Sequence, residues 1–354
     1  MPLTASIQGS FFGALSRPIG AIFGNKWTAI GKPSQSSYFA LNWSAAQEQF
    51  VLADSNGRLF TSPNGQTWTS RVLPGVARDS RAVVYSPGLT LWALVSFNNA
   101  GLDAVTSPDG ITWTQRVTPA GLHQYTSIEW SPALGLFVAC GAGVIPQLIS
   151  SPDGITWTAR TGIEPVPLMT PLDITWSPAL GLFVTVHANG TGGFPQGIRV
   201  GTSPDGITWT PRVTPLEGGT SPSWRGVVWS PALGLFAAVG IRAVDDINII
   251  MTSPDGITWT MRQSPFATSM ESITWSPELG IFVAVSVADD VPNRQRRVIW
   301  SSDGITWVAA VTPFLALGQF FRRVKWGGPP ANIFLAIGSG TGGGARHMFS
   351  KNGK

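Results

Sequence analysis

Few residues of this chain have the type and spacing that chemistry needs. His123, His187 and His347 are the only histidines, and they lie far apart with no partner at metal-ligand spacing. Asp and Glu total 19 in 354 residues, so the paired carboxylates of a glycosidase have few candidates. Cys140 is the lone cysteine and forms no intrachain disulfide. The 16 tryptophans invite stacking on sugars, and Trp224 beside Arg225 is the best candidate for an exposed aromatic. Arg294, Arg296 and Arg297, preceded by Asp289 and Asp290, are the nearest approach to an anion site. That run is mixed in sign and reads more readily as a solvated loop. A nucleic-acid surface needs a basic patch on one face. The formal net charge of +4 is spread too widely for that. No cofactor, metal, nucleic acid or membrane insertion is expected, and the reading is non-enzymatic.

The elements that would position these residues come from a repeat. SPDGITWT stands at 107–114, 151–158, 203–210 and 253–260. Looser copies begin at Ser62 and Ser301, and a shortened one at Ser350. Successive copies start 44 to 52 residues apart, the period of a four-stranded propeller blade. A second phrase, WSPALGLFVA and its variants, begins at Trp43, Tyr85, Trp130, Trp176, Trp229, Trp275 and Trp326. Two phrases in strict alternation, each counted seven times, predict an all-β, seven-bladed β-propeller with four antiparallel strands per blade. In residues 125–160 the strands fall near 125–130, 136–140, 147–150 and 155–160. The last carries Ile155 and Trp157 in alternation with Thr156 and Thr158. SPDG and SPALG form the turns, with Pro and Gly at turn positions. Charged residues are only 12% and hydrophobic ones 43%, as a packed core requires.

Thirteen of the tryptophans sit at repeat positions. Core packing accounts for these, Trp113, Trp157, Trp209, Trp259 and Trp307 among them. Arg71, Arg116, Arg160, Arg212 and Arg262 share one repeat position and are expected on the rim, paired with acids or carbonyls. The last unit lacks a fourth strand, and Gly24-Asn25-Lys26-Trp27-Thr28 matches Gly304-Ile305-Thr306-Trp307-Val308 in phase. Residues 26–31 are therefore expected to close the seventh blade from outside, so that 24–354 is the propeller. Residues 1–23 remain as an N-terminal arm. Its apolar Phe11, Phe12, Leu15, Ile19, Ile22 and Phe23 suit docking along the propeller or on another subunit. The SPALG and SPDG turns fall on one face. The connections at 141–146, 187–198, 241–248, 286–297 and 338–346 fall on the other and differ in every blade, as in a recognition surface.

SPDGITW resembles the Asp-box of sialidase-like propellers, Ser-x-Asp-x-Gly-x-Thr-Trp, except that Gly follows Asp directly. In tandem, the shortened form resembles repeats of bacteriophage virion and tail propellers. The resemblance implies that Asp109, Asp153, Asp205, Asp255 and Asp303 are structural residues of a turn. It also implies a virion-associated structural or adhesive role, as a tail, fibre or decoration protein held to other virion proteins by the arm. A host-surface glycan or protein is the further partner expected, and a lectin is the alternative reading. Sialidase chemistry in that family uses three arginines and a Tyr paired with Glu. Here Tyr38, Tyr85 and Tyr125 are the only tyrosines, and the Arg-Ile-Pro motif is replaced by Arg17-Pro18-Ile19 within the arm.

Overall fold

The SPDG turn is built by its own side chains. In the 107–114 copy, Gly110 N–H donates to Ser107 Oγ at 2.8 Å. Ile111 and Thr112 N–H both donate to Asp109 Oδ1 at 2.8 Å. The Trp113 indole N–H reaches Gly110 O at 3.0 Å. Gly110 has φ +72°, which favours glycine. The same Asp bonds recur at Asp153, Asp205, Asp255 and Asp303. Partial burial acts to raise the Asp109 pKa, but the backbone N–H donors of Thr112 and Ile111 outweigh it and hold the carboxyl below its usual value. A side chain that satisfies two backbone donors ends one strand and starts the next.

The computed structural model describes residues 27–31, 33–34, 36–75, 79–97, 103–119, 123–143, 148–160, 170–188, 197–216, 222–242, 247–266, 269–286, 298–310, 312, 320–339 and 347–351. All the elements among them are strands. After β1 (Trp27–Ile30), the first sheet joins β2 (Tyr38–Ser44), β3 (Gln49–Asp54), β4 (Leu59–Ser62) and β5 (Thr69–Arg71). The second set is β6 (Asp79–Ser86), β7 (Leu91–Phe97), β8 (Ala104–Ser107) and β9 (Thr114–Arg116). The third is β10 (His123–Ser131), β11 (Leu136–Gly143), β12 (Leu148–Ser151) and β13 (Thr158–Arg160). One pairing, Gln124 opposite Phe97, joins these two sets into an eight-stranded sheet. Next come β14 (Pro171–Ser177), β15 (Leu182–His187), β16 (Ile198–Ser203) and β17 (Thr210–Val213). They are followed by β18 (Ser223–Ser230), β19 (Leu235–Arg242), β20 (Ile247–Ser253) and β21 (Thr260–Arg262). The sixth set is β22 (Met270–Ser276), β23 (Ile281–Ser286), β24 (Val298–Ser301) and β25 (Val308–Ala310). The last is β26 (Phe320–Gly327), β27 (Ile333–Ser339) and β28 (His347–Lys351), with β1 antiparallel to β28 from Trp27 opposite Ser350 to Ile30 opposite His347. The 28 strands fit seven four-stranded blades.

The core lies between the sheets. Among the described residues, its seven apolar clusters each join two of the four-stranded sets. Six join neighbours in chain order, and one joins Tyr38, Leu41 and Phe50 of the first sheet to Ile333, Leu335 and Ile337 of the last. Within a blade the aromatic phrases interlock. Trp229 packs on Phe236 at 4.6 Å between ring centroids, and Phe236 faces Trp259 at 6.3 Å. Eleven of the thirteen repeat tryptophans are buried, while Trp43 and Trp68 are partly so. Trp92, which stands in the Phe position, is fully buried against Tyr85.

Two expectations are corrected here. The fourth strand starts at Thr158, and Ile155 belongs to the turn, where it is 51% exposed. Asp153 takes the backbone N–H groups of Ile155 and Thr156, so that segment cannot pair as a strand. The five repeat arginines bond neither acids nor carbonyls through Nε. Each donates Nε–H to a third-strand hydroxyl, as from Arg160 to Ser150 Oγ at 2.7 Å and from Arg212 to Thr202 Oγ1 at 2.9 Å. The arm, with Phe11, Phe12, Leu15, Ile19, Ile22 and Phe23, lies outside the described residues.

Candidate functional site: the axial mouth

Every inner strand carries one β-bulge at the same place. The register slips between Tyr38 and Ala40, Ser80 and Ala82, Tyr125 and Ser127, and Pro171 and Asp173. It slips again between Trp224 and Gly226, Met270 and Ser272, and Phe321 and Arg323. The surplus residues are Phe39, Arg81, Thr126, Leu172, Arg225, Glu271 and Arg322, each four positions before its repeat aromatic. A bulge re-aims the side chain it extrudes. Together with Arg323, the seven line a single cavity of about 160 Å³. They sit near the start of each first strand, the end fed by the connections between blades. The mouth therefore opens on the face of the unequal loops.

The mouth is rich in guanidinium. Arg225 Nη1 donates to Glu271 Oε1 at 2.5 Å, and Arg322 Nη1 lies 3.5 Å from Glu271 Oε2. Arg81 bonds Asp79. Its Cζ stands 4.1 Å from the Phe39 ring centroid and 4.6 Å from that of Phe97. Arg323 Nη2 donates at 3.3 Å to the carbonyl of Thr126, on the non-neighbouring strand β10. Below it, a cavity of about 90 Å³ is lined by all seven inner strands. It holds Glu129 and Asp173. Asp173 accepts from Ser127 Oγ at 2.7 Å and from Val227 N–H at 3.0 Å. Burial pushes Glu129 up to about 7, against the pull of Lys325.

Of the described residues singled out from sequence, Arg225 alone lines this mouth. Trp224 is a correction: it is fully buried, not exposed. It belongs to β18, and the bulge turns its ring onto the face of Val227 and Trp229, against Val184, Val186 and Val200. Tyr38, Tyr125, Met270 and Phe321 hold the same place in other blades and are equally buried. His187 is a second correction. It ends β15 fully buried, with Nε2 2.9 Å from Thr185 Oγ1. Burial, then the charge of Arg199, lowers its pKa to about 3, so its ring is neutral at neutral pH. His123 opens β10 opposite Gly143. Asp289, Asp290, Arg294, Arg296 and Arg297 lie outside the described residues. Among the described residues no cluster of His, Cys, Asp and Glu could hold a metal ion.

Arg81, Arg322, Arg323, Glu271 and Phe39 escaped the sequence reading. Counting four or three residues back from each repeat aromatic would have found them. That count gains meaning only once the bulges bring those positions to the axis.

No family model matches the chain, and no curated protein sequence matches it. Solved structures do. YCF48 from Cyanidioschyzon merolae superposes with TM-score 0.63 at 14% identity, over 91% of this chain and 97% of that one. Virginiamycin B lyase from Staphylococcus aureus gives TM-score 0.67 at 9% identity, over 92% and 97%. Hydrazine synthase of Kuenenia stuttgartiensis gives 0.62 at 12%, over 88% and 95%. At such identities the likeness shows the fold alone, and that fold is a β-propeller.

Proposed function

We propose that the chain is a seven-bladed propeller, closed by β1, that serves as a non-enzymatic structural or adhesive module. The axial mouth is its recognition site, and residues 1–23 are its attachment to the assembly. The observation that carries this reading is the contrast between repeat positions. At the repeat aromatics and at the turn, one residue type or a close substitute recurs from blade to blade: Trp, Phe, the Asp of the turn. At the bulge, the same scaffold presents Phe, Arg, Thr, Leu, Arg, Glu and Arg. Variation at a concave mouth, over repeat aromatics and turns held constant, is the pattern of a recognition surface. The virion role, as a phage tail, fibre or capsid decoration protein, rests on the tandem SPDGITW resemblance.

Two experiments test this. Deleting residues 1–23 should leave a folded propeller that no longer joins its particle; normal assembly would remove the arm from the account. Replacing Arg81, Arg225 and Arg322 together by Gln should abolish attachment to the target surface. Unchanged attachment would move recognition away from the mouth. The second reading, a lectin, is favoured by the same mouth of arginines beside the Phe39 ring, which could take an acidic sugar. Binding of the isolated propeller on a glycan array would select it. Turnover of a glycoside would refute the non-enzymatic reading.

A further inference from the structure

Among the described residues that meet at the mouth, guanidinium groups outnumber carboxylates. Arg81, Arg225, Arg322 and Arg323 bring four guanidinium groups, and Glu271 and Asp79 bring two carboxylates. Counted over these described groups alone, the formal excess is two positive charges at the edge of a cavity of about 160 Å³. Glu271 occupies a particular place in this set. One carboxylate oxygen is taken by Arg225 on β18 and the other faces Arg322 on β26, so it bridges arginines from the strands on either side of its own. Its side chain is 10% exposed, whereas those of Arg225 and Arg322 are 32% and 30% exposed. The arginines thus remain reachable from solvent while the carboxylate sits beneath them. Arg81 is free of Glu271. It is stacked on Phe39 and Phe97 and tied to Asp79, and its buried Nε has no partner among the described residues. Buried Nε of Arg225 likewise has none.

We infer that the mouth is an oxyanion site for a carboxylate or phosphate group, and that Glu271 is a tethered carboxylate occupying Arg225 and Arg322 until a ligand displaces it. The planar guanidinium fork suits either oxyanion, because both present paired acceptor oxygens. Arg81 supplies a fixed cation whose orientation is set by two aromatic rings before any ligand arrives. Seating on bulges matters to the chemistry. The backbone of each inner strand, and not a flexible loop, sets where these three arginines start. The inference rests on the mouth as the recognition site but names a ligand class that reading leaves open.

Calorimetric titration of the full chain at low salt tests it, with inorganic phosphate in one arm and glutarate in the other. Glu271→Gln should tighten binding of at least one anion by about tenfold, because the ligand no longer competes with a resident carboxylate. Arg81→Gln and Arg225→Gln should each weaken it by about tenfold or more. Binding in one arm and not the other identifies the oxyanion. Thermal unfolding of each variant separates lost folding from lost binding, and Glu271→Asp provides a second probe that keeps the charge on a shorter stem. Failure of the folded Glu271→Gln protein to bind either anion would overturn the site. Equal affinity in the wild type and Glu271→Gln would overturn the competitor role. Anion binding through these residues, combined with unchanged attachment of the triple Gln variant, would refute the recognition reading and leave the oxyanion site standing.

Discussion

Trp27 offers a direct test of how the ends of the chain are joined. It occupies the same repeat position as Trp259, both rings are 6% exposed, and each packs across to the preceding sheet. Trp27 lies with Val298, Trp300 and Ala310 of the sixth sheet and with Phe334, Ala336 and Met348 of the last. Burying such a ring removes about 150–250 Å² from water, which is worth ~4–6 kcal/mol as an upper bound. Truncating a buried Trp to Ala costs ~3–5 kcal/mol in cores generally. The two residues differ in connection. Trp259 is held by continuous chain on both sides. Trp27 belongs to a strand that joins its sheet by the four-residue pairing of β1 with β28. The cost of Trp27→Ala cannot exceed the free energy of undocking β1, because beyond that loss the strand leaves the sheet. If β1 is integral to the last blade, Trp27→Ala and Trp259→Ala should both lower stability by about 3–5 kcal/mol in urea unfolding followed by far-UV circular dichroism. A loss under about 1 kcal/mol for Trp27→Ala, beside a full loss for Trp259→Ala, would refute the closing role of β1.

Asp205→Ala removes the acceptor of the Ile207 and Thr208 N–H groups and should cost about 1–2 kcal/mol by the same denaturation assay. Gly206 and Gly234 both have positive φ, at 71° and 58°. An added Cβ at Gly206 would lie 2.8 Å from Val138 Cγ2, whereas at Gly234 it meets nothing within 4 Å. Gly234→Ala should therefore cost about 1 kcal/mol for the backbone alone, and Gly206→Ala measurably more; equal losses would refute tight packing of the turn on the neighbouring blade. The lowered pKa of Asp109 and its four equivalents means that their stabilisation is complete above the unfolded value of 3.8 and is lost as pH falls through the lower folded values. Glu129 acts in the opposite sense. Its raised pKa makes the folded state hold a proton between 4.5 and about 7, so its contribution declines as pH rises through that window. Glu129→Gln should flatten the pH dependence of the melting temperature there and leave the acid limb unchanged.

The strands, their order and their turns were legible in the chain because each depends on residues close in sequence. Ser107, Asp109 and Gly110 make their turn from neighbours two or three positions apart, and repetition of the phrase reports repetition of the unit. The match between residues 24–28 and 304–308 likewise pointed to the last sheet, where β1 pairs with β28. The mouth was hidden for two physical reasons. Its bulge residues stand 42 to 53 residues apart and become neighbours only when successive sheets turn about one axis. Strict alternation counted back from Trp229 also assigns Val227 and Arg225 to the face of Trp229 and Trp224 to the opposite one. The extra residue at the bulge reverses that assignment, burying Trp224 and extruding Arg225. Local sequence thus determined where the chain turns. The tertiary structure decided which side of each inner strand faces the axis, because that depends on one unpaired residue per inner strand and on the other inner strands that meet it.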